Sequence, residues 1–494
     1  MQMNLPEALT ACGATLLHPF SSEQARLTVT GIATDSRKVR PGNMFFCILG
    51  EHSDGHNHAA SAIKAGAAAI VGQYNPFKSE SSMDLQQTPV LLVEDSVKAL
   101  GRMANYWRKH FSGKVVGITG TAGKTTAKEI LANVLSRKGL TAKNYLNLNT
   151  QIGLPFSMLE TTGQEDFWVF EVGISHTNDM DELGPILEPD LAIILNVGAA
   201  HTEWLGAKGV AYHKAALLRY LAPGGQALVS ADYSELVKEV CNILPKPIFF
   251  TVNNKQENYR AAYLGLNEHE RGRFRLWLDR DELELCSDLS GAYGAENIIA
   301  VAAAAHLLGM APNEIACGIE SAVLPAQRFT RREAPGWVII DDTYNANPLS
   351  CRRILETVQE LSVTRRLVCV MGEMLELGAI SDEVHLNLGS QLAKIGTAAV
   401  FWVGGQANLV EEGLRIGGYA GIFQALNHDQ AALKPDSLTA AFCTNFAAFA
   451  AENPDPRQGL ILFKGSRGNQ MENLVAAFCD YCGQNTLIGE NHAI

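Results

Sequence analysis

Short apolar runs alternate along this chain with amphipathic or small-residue stretches, as in a parallel sheet covered on both faces by helices. Three runs in the middle stand out, at 115–119, 167–172 and 191–197. Each ends in a polar cluster: the glycine-rich stretch 117–126, then Glu171-Val172-Gly173, then Asn196-Val197-Gly198 with His201. Open α/β sheets bind ligands beyond the carboxyl ends of their strands, so these three ends are expected to meet at one site. A second set of runs, at 337–341, 367–371, 398–403 and 460–463, is separated by helical stretches such as 350–361 and 383–394. That set predicts a second doubly wound, Rossmann-like sheet. Its strand ends carry Asp341 to Pro348, Gly372 to Gly378, and Lys464-Gly465-Ser466-Arg467-Gly468. Ahead of both lies a smaller α/β unit, with strand-like runs at 44–49 and 69–71, a helical stretch at 59–69 and an exposed loop at 76–88. The expected fold is α/β in three domains, with boundaries at 1–112, 113–326 and 327–494.

The stretch Gly117-Ile118-Thr119-Gly120-Thr121-Ala122-Gly123-Lys124-Thr125-Thr126 follows an apolar run and precedes a helix-like segment, 127–137. Strand, glycine-rich turn and helix is the context in which such a motif holds phosphate. The backbone N–H groups of Gly120, Thr121, Ala122 and Gly123 can close around phosphate oxygens, aided by the positive end of the helix. Lys124 is expected on the β- and γ-phosphates, with the Thr125 hydroxyl on Mg²⁺ and Thr126 completing the loop. The usual pattern places its first glycine at position 118, where this chain has isoleucine, and keeps glycines at 117 and 120 instead. Glu171, closing a neighbouring strand, admits two readings: a hard oxygen ligand for Mg²⁺, or a structural acid capping a nearby helix. His201 and Lys214, taken singly, read as a loop histidine and a solvated helix lysine.

Composition narrows the partners. The chain has 494 residues, 40 Lys plus Arg against 52 Asp plus Glu, and a net charge of −12, which argues against a general nucleic-acid binder. No apolar run approaches the roughly 18 residues of a membrane span, and the first residues lack a signal-peptide pattern. Ten cysteines fall without metal-ligand spacing; Cys479 and Cys482 read as two thiols on a helix, and a cytoplasmic, reduced setting is expected.

Read in order, the phosphate loop, Glu171, His201 and Lys214 resemble the Mur ligases, the ATP-dependent amide-forming enzymes of peptidoglycan synthesis. Tyr344-Asn345-Ala346-Asn347-Pro348, Met374-Leu375-Glu376-Leu377-Gly378, Lys464-Gly465-Ser466-Arg467 and the stretch 147–155 resemble the branch that joins D-alanyl-D-alanine to a UDP-N-acetylmuramoyl-tripeptide. The Asp-Asn-Pro-Arg signature of the branch adding diaminopimelate or lysine is absent. Asp35-Ser36-Arg37 and Asp54-Gly55-His56 resemble the UDP-binding module of that family.

The resemblance implies ATP and Mg²⁺ as cofactors, with Lys124, Glu171, His201 and Lys214 in the chemistry. Thr125, Glu171, His201 and a carbamylated Lys214 would serve the metal. It implies that Asp342, Tyr344, Asn345 and Asn347 hold the nucleotide from the third domain, with Arg328 at the hinge and Asn297 toward the adenine. Ser36, Arg37, Asp54, Gly55, His56, Asn149 and Thr150 would bind the UDP-peptide. One departure concerns the helix after Gly294, where the family commonly has His-Asn and a later Asn; this chain has Glu296-Asn297 and Ala300. The implied reaction forms an acyl phosphate that the dipeptide amine attacks, in a monomer with neither nucleic-acid nor membrane partners. The alternatives are a related ligase taking another amino acid and, from a different class, a nucleotide-gated P-loop protein. A folylpolyglutamate synthetase is disfavoured by Asp54-Gly55-His56.

Overall fold

The computed structural model describes residues 1–77, 87–145, 147–199, 204–253, 256–426, 435–453 and 458–490. Three separate α/β sheets organise them, of five, nine and six strands, beside a two-stranded ribbon near the N-terminus. In the first module, Gly31–Ala33, Asn43–Phe46, Ala69–Gly72 and Val90–Leu92 run parallel, and Thr15–Leu16 closes one edge antiparallel. The helix Ala59–Lys64 and the strand Asn43–Phe46 are shorter than the runs at 59–69 and 44–49 predict, while Ala69–Gly72 matches its run within one residue. The helix Ala59–Lys64 stops before Gly66, whose φ of +100° turns the chain into the next strand.

The central sheet places Lys114–Thr119 between Phe167–Glu171 and Leu191–Ile194, with Thr141–Lys143 beyond Phe167–Glu171. The strand order therefore reverses beside the strand that feeds the phosphate loop, the position where doubly wound sheets open a crevice. Two expected strands end early, at Glu171 and Ile194, because the next residues leave the ladder to form the site loops. Beyond Gln226–Ser230 and Ile248–Thr251 the sheet continues into an antiparallel extension, Tyr259–Leu266, Gly272–Leu278 and Asp281–Ser287. Alternating buried and open positions along Gly272–Leu278 suit a sheet with one solvated face.

The third module is a six-stranded sheet, antiparallel only at Thr330–Ala334. Its helix Pro348–Leu361 starts with an Asn347 cap, whose side chain accepts from the Ser350 amide, and with proline in the first turn. The linker entering this module holds Gln327 and Phe329 in the left-handed region, at φ +61° and +57°.

The modules are joined unlike one another. A single apolar cluster runs from Leu5, Leu100 and Met103 of the first module to Met158, Trp168 and Leu187 of the second. Phe111 stacks on Trp168 at 3.9 Å, and the helix Ser96–His110 anchors itself through Arg108, which pairs with Asp190 at 2.8 Å. The third module has cores of its own on each face of its sheet. It meets the second largely through polar contacts, among them Arg365 to Glu270 and Arg353 to Glu296, each at 2.6 Å, and Tyr263 to Glu360 at 2.7 Å. Among the described residues no helix is long and apolar enough to cross a membrane.

Candidate functional site

A cavity of about 420 Å³ opens where the second and third modules face each other. Its walls take in Thr121 to Thr126, Asn147, Asn149, Thr150 and Glu171 from the second module, and Asp342, Tyr344, Asn345, Asn347 and Lys464 from the third. Arg328, on the linker, completes the rim with its guanidinium 3.8 Å from the centre of the Tyr344 ring.

The loop is shaped for an anion. The helix Lys124–Leu135 begins at the loop itself, three residues earlier than the apolar pattern predicts, so its N-terminal amides point into the cavity. Gly123 sits at φ +85°, and a Cβ there would lie 2.4 Å from Asn297 Oδ1, so no side chain fits. Asn196, at the end of the third strand of the trio, clamps the loop: it accepts from the Ala122 amide at 2.8 Å and donates to the Ala122 carbonyl at 3.0 Å. Lys124 Nζ donates to the Gly120 carbonyl at 2.8 Å. Loss of water holds this ammonium below its usual pKa; the Glu171 charge works the other way and Arg328 adds to the lowering.

Glu171 is almost fully buried, and both its oxygens are engaged. Thr125 Oγ1 donates to one at 2.6 Å and Asn149 Nδ2 to the other at 2.6 Å. The strand end is pinned by Asn144, which accepts from the Glu171 amide at 3.1 Å and itself supports the buried Lys128 ammonium through its carbonyl at 2.7 Å. A hydroxyl and a carboxylate in contact, beside a phosphate-shaped loop, form a hard oxygen set of the kind that holds Mg²⁺ together with substrate phosphates. Among the described residues no group of three His, Cys, Asp or Glu side chains is placed to hold a metal ion.

Lys214 lies on the helix Gly209–Ala215, 3% exposed. Burial drives its ammonium well below the ordinary lysine value, and the nearby Lys124 charge pushes the same way. His201 lies outside the described residues. Asn297 donates to the Tyr293 carbonyl at 2.9 Å and sits behind the Gly123 turn rather than in the cavity wall, where Ser290 and Tyr293 stand instead. Asn297 Oδ1 and Ser290 Oγ are buried without a protein partner.

The roles of several groups at the site escape a reading of the sequence. Lys464 ends an apolar strand run, a legible signal, and pairs with Asp342 at 2.5 Å while donating to the Asn345 carbonyl at 3.0 Å. Burial alone would lower its pKa, but Asp342 raises it overall. Asn196 stands in a strand-end cluster that the sequence shows, but its clamp on Ala122 does not show there, and Arg353 gave no such signal. In the first module the two polar turns flank the helix Ala59–Lys64 and lie outside the cavity. Arg37 is exposed and pairs with Asp35 at 2.8 Å. His56 is buried, bonded to Asp54 at 2.6 Å, accepting from the Gln73 amide at 2.9 Å and stacked on Tyr74. Its ring is thus a fixed support for the turn, while Ser36 and Gly55 stay partly open.

Comparison with known proteins agrees with this arrangement. Residues 28–108 match the Mur ligase family catalytic domain, 118–305 the Mur ligase middle domain, and 327–467 the Mur ligase glutamate ligase domain. The UDP-N-acetylmuramoyl-tripeptide–D-alanyl-D-alanine ligase of Escherichia coli is 29% identical over 456 residues, 92% of this chain and 94% of that one. Its namesake from Synechocystis is 30% identical over 384 residues, 77% of this chain and 81% of the relative. The crystal structure of MurF ligase from Thermotoga maritima in complex with ADP superposes with a TM-score of 0.78 at 27% identity, covering 92% of this chain and 99% of that one. With three domain matches in order and a relative at 30% identity over most of its length, the chain belongs to the Mur ligase family.

Proposed function

We propose that the chain is an ATP-dependent ligase that joins D-alanyl-D-alanine to a UDP-N-acetylmuramoyl-tripeptide in peptidoglycan precursor synthesis. The observation that carries this reading is the facing of two strand-end clusters, the loop at Thr121–Thr126 and the Asp342–Asn347 turn, across one cavity. Relatives bearing that name over more than nine-tenths of this chain support the substrates, and the ADP complex of a structural relative supports the nucleotide.

The terminal carboxylate of the tripeptide attacks the γ-phosphorus of ATP; an oxygen–phosphorus bond forms, the bond to the bridging oxygen breaks, and ADP leaves. The dipeptide amine then attacks the acyl carbon, loses a proton, and phosphate departs. Lys124 lies on the β- and γ-phosphates and gathers the charge that develops between them. Arg328 and Tyr344 hold the nucleotide from the hinge side, Asn345 and Asn347 from the third module. The unpartnered Ser290 Oγ, in the cavity wall, supplies a polar group toward the base. Thr125 and Glu171, with His201, would hold Mg²⁺, which when bound neutralises phosphate charge and orients the transferring group.

Lys214 reads here as a carbamate. Its buried, readily neutral amine adds to CO₂, forming an N–C bond and releasing a proton, and the carbamate would join Thr125, Glu171 and His201 in holding Mg²⁺. Asn149 and Thr150 face the peptide end; Ser36, Arg37 and the Asp54-Gly55-His56 turn hold the UDP end, far from the chemistry. The working form is a cytoplasmic monomer.

The test is phosphate release with ATP and UDP-tripeptide while the dipeptide is varied. Sustained release should require both peptide substrates and saturate with the dipeptide. ATP turnover indifferent to the dipeptide would sink the assignment.

A further inference from the structure

The Asn196 amide that clamps Ala122 also donates, at 2.9 Å, to a carboxylate oxygen of Glu296 on the helix Gly291–Leu307. Glu296 is 2% exposed, a burial that a carboxylate tolerates only with a full set of donors. Three reach it. Asn196 and the Tyr233 hydroxyl, at 2.9 Å, belong to the second module. The third donor, and the only charged one among the described residues, is Arg353 of the third module, whose guanidinium lies 2.6 Å from the carboxylate and also bonds the Tyr233 oxygen. Arg353 sits on the helix Pro348–Leu361 with Ser350, Ile354 and Thr357, and all four line the nucleotide cavity. From the same helix start, Asn347 Nδ2 reaches the Thr121 carbonyl at 3.5 Å.

We propose that Arg353 is a positioning residue that couples docking of the third module to the shape of the phosphate loop, acting through Glu296 and Asn196. The inference rests on reading the cavity as the nucleotide site. With the module docked, the guanidinium balances the Glu296 charge, and the two N–H groups of the Asn196 amide are set on Glu296 and on the Ala122 carbonyl. With the module swung away, Glu296 keeps only neutral donors, and a carboxylate that loses its cation shifts to regain charge balance or water, drawing the Asn196 amide with it. Ala122 then loses half of its clamp. The loop is therefore held in its phosphate-binding form best when the wall carrying Arg353, Ile354 and Thr357 is also in place.

The experiment compares the full-length wild type with Arg353→Met, Arg353→Lys, Glu296→Gln and the Arg353→Met/Glu296→Gln pair. It measures ADP binding by calorimetry, KM for ATP against kcat, and the thermal unfolding midpoint. Coupling of this kind is expected to weaken ADP binding about five- to 150-fold in Arg353→Met and to raise KM for ATP in parallel. The paired variant should be no worse than the poorer single one, and Arg353→Lys should fall between wild type and Arg353→Met. Fold-changes that multiply in the paired variant overturn the coupling. So does unchanged ADP affinity with only a lowered unfolding midpoint, which marks a merely structural ion pair. The ADP arm uses neither peptide substrate, so a wrong assignment of those substrates leaves it unmoved. A wild type that does not bind ADP removes the nucleotide reading itself.

Discussion

The two junctions between the three modules are built from opposite materials. Between the first and second, Phe111, Leu100 and Met103 merge into the same apolar cluster as Trp168 and Leu187. Between the second and third, charged and hydrogen-bonded side chains meet, with Glu270 shared by Arg365 and Arg331 and Glu296 taken by Arg353. An apolar junction resists separation because parting it exposes hydrocarbon to water. A polar one can part at modest cost, since water replaces the lost partners. The cavity lies at the polar junction, so substrate entry and assembly of the site can share one motion while the first two modules stay a single body.

The comparison is broken first by removing chemistry from the polar junction. Lys124→Ala is expected to lower turnover by about 10²- to 10³-fold, as loss of one preorganised charge does; near-normal turnover at saturating ATP would remove Lys124 from the phosphates. Lys214→Ala should likewise lose most activity, and acetate or formate added to the assay should restore part of it by filling the vacated anion site. Absence of rescue, with no CO₂-sized mass gain on wild-type Lys214, would discard the carbamate.

The apolar junction is probed by Met103→Ala. A cavity there should cost about 2–5 kcal/mol of unfolding free energy, with Trp107 and Trp168 fluorescence changing in one denaturant transition. Two separate transitions would mean that the first two modules are not one body. Arg37→Ala should raise KM for the UDP-peptide about tenfold or more, as a lost hydrogen bond to a charged group does, while KM for ATP stays put; equal loss for both substrates would contradict the distance of that turn from the cavity.

The smallest effect is a pH dependence. Burial alone would raise the Glu270 pKa, yet Arg365 and Arg331 hold it below the usual value overall. A carboxylate depressed in the folded state contributes fully above its unfolded pKa of about 4.3 and loses that contribution as pH falls through the folded value. Small-angle scattering should therefore show the third module loosening in mild acid before unfolding. Glu270→Gln should abolish that pH dependence, and an acid response unchanged in this variant would assign it elsewhere.

The sheets and the convergence of three strand ends are legible in the apolar runs, because a buried parallel strand writes itself as contiguous hydrophobic residues and its end as a sudden polar cluster. Thr125, Glu171, Asn149 and Asn347 reach one cavity for that reason. The Glu296–Arg353 pair is not legible, because both residues sit on helices where a charge ordinarily faces water. Their burial follows from docking across more than fifty residues of sequence, which no local pattern encodes. The antiparallel extension was open to reading, since Gly272–Leu278 alternates with a period of two, but contiguous apolar runs are not the signal that reveals it.

The linker carries one more consequence. Gln327 and Phe329 hold left-handed backbone that only glycine adopts without strain, at about 1–3 kcal/mol for each such residue. A cost of that size persists only where the surrounding structure holds the backbone in place, and here the Tyr344 amide donates to the Gln327 carbonyl and the Phe329 amide to Asp342. Glycine at 327 would relieve its share of that strain and leave the cavity wall as it is, whereas Phe329 is part of that wall, so there the same change would also take a side chain from the site.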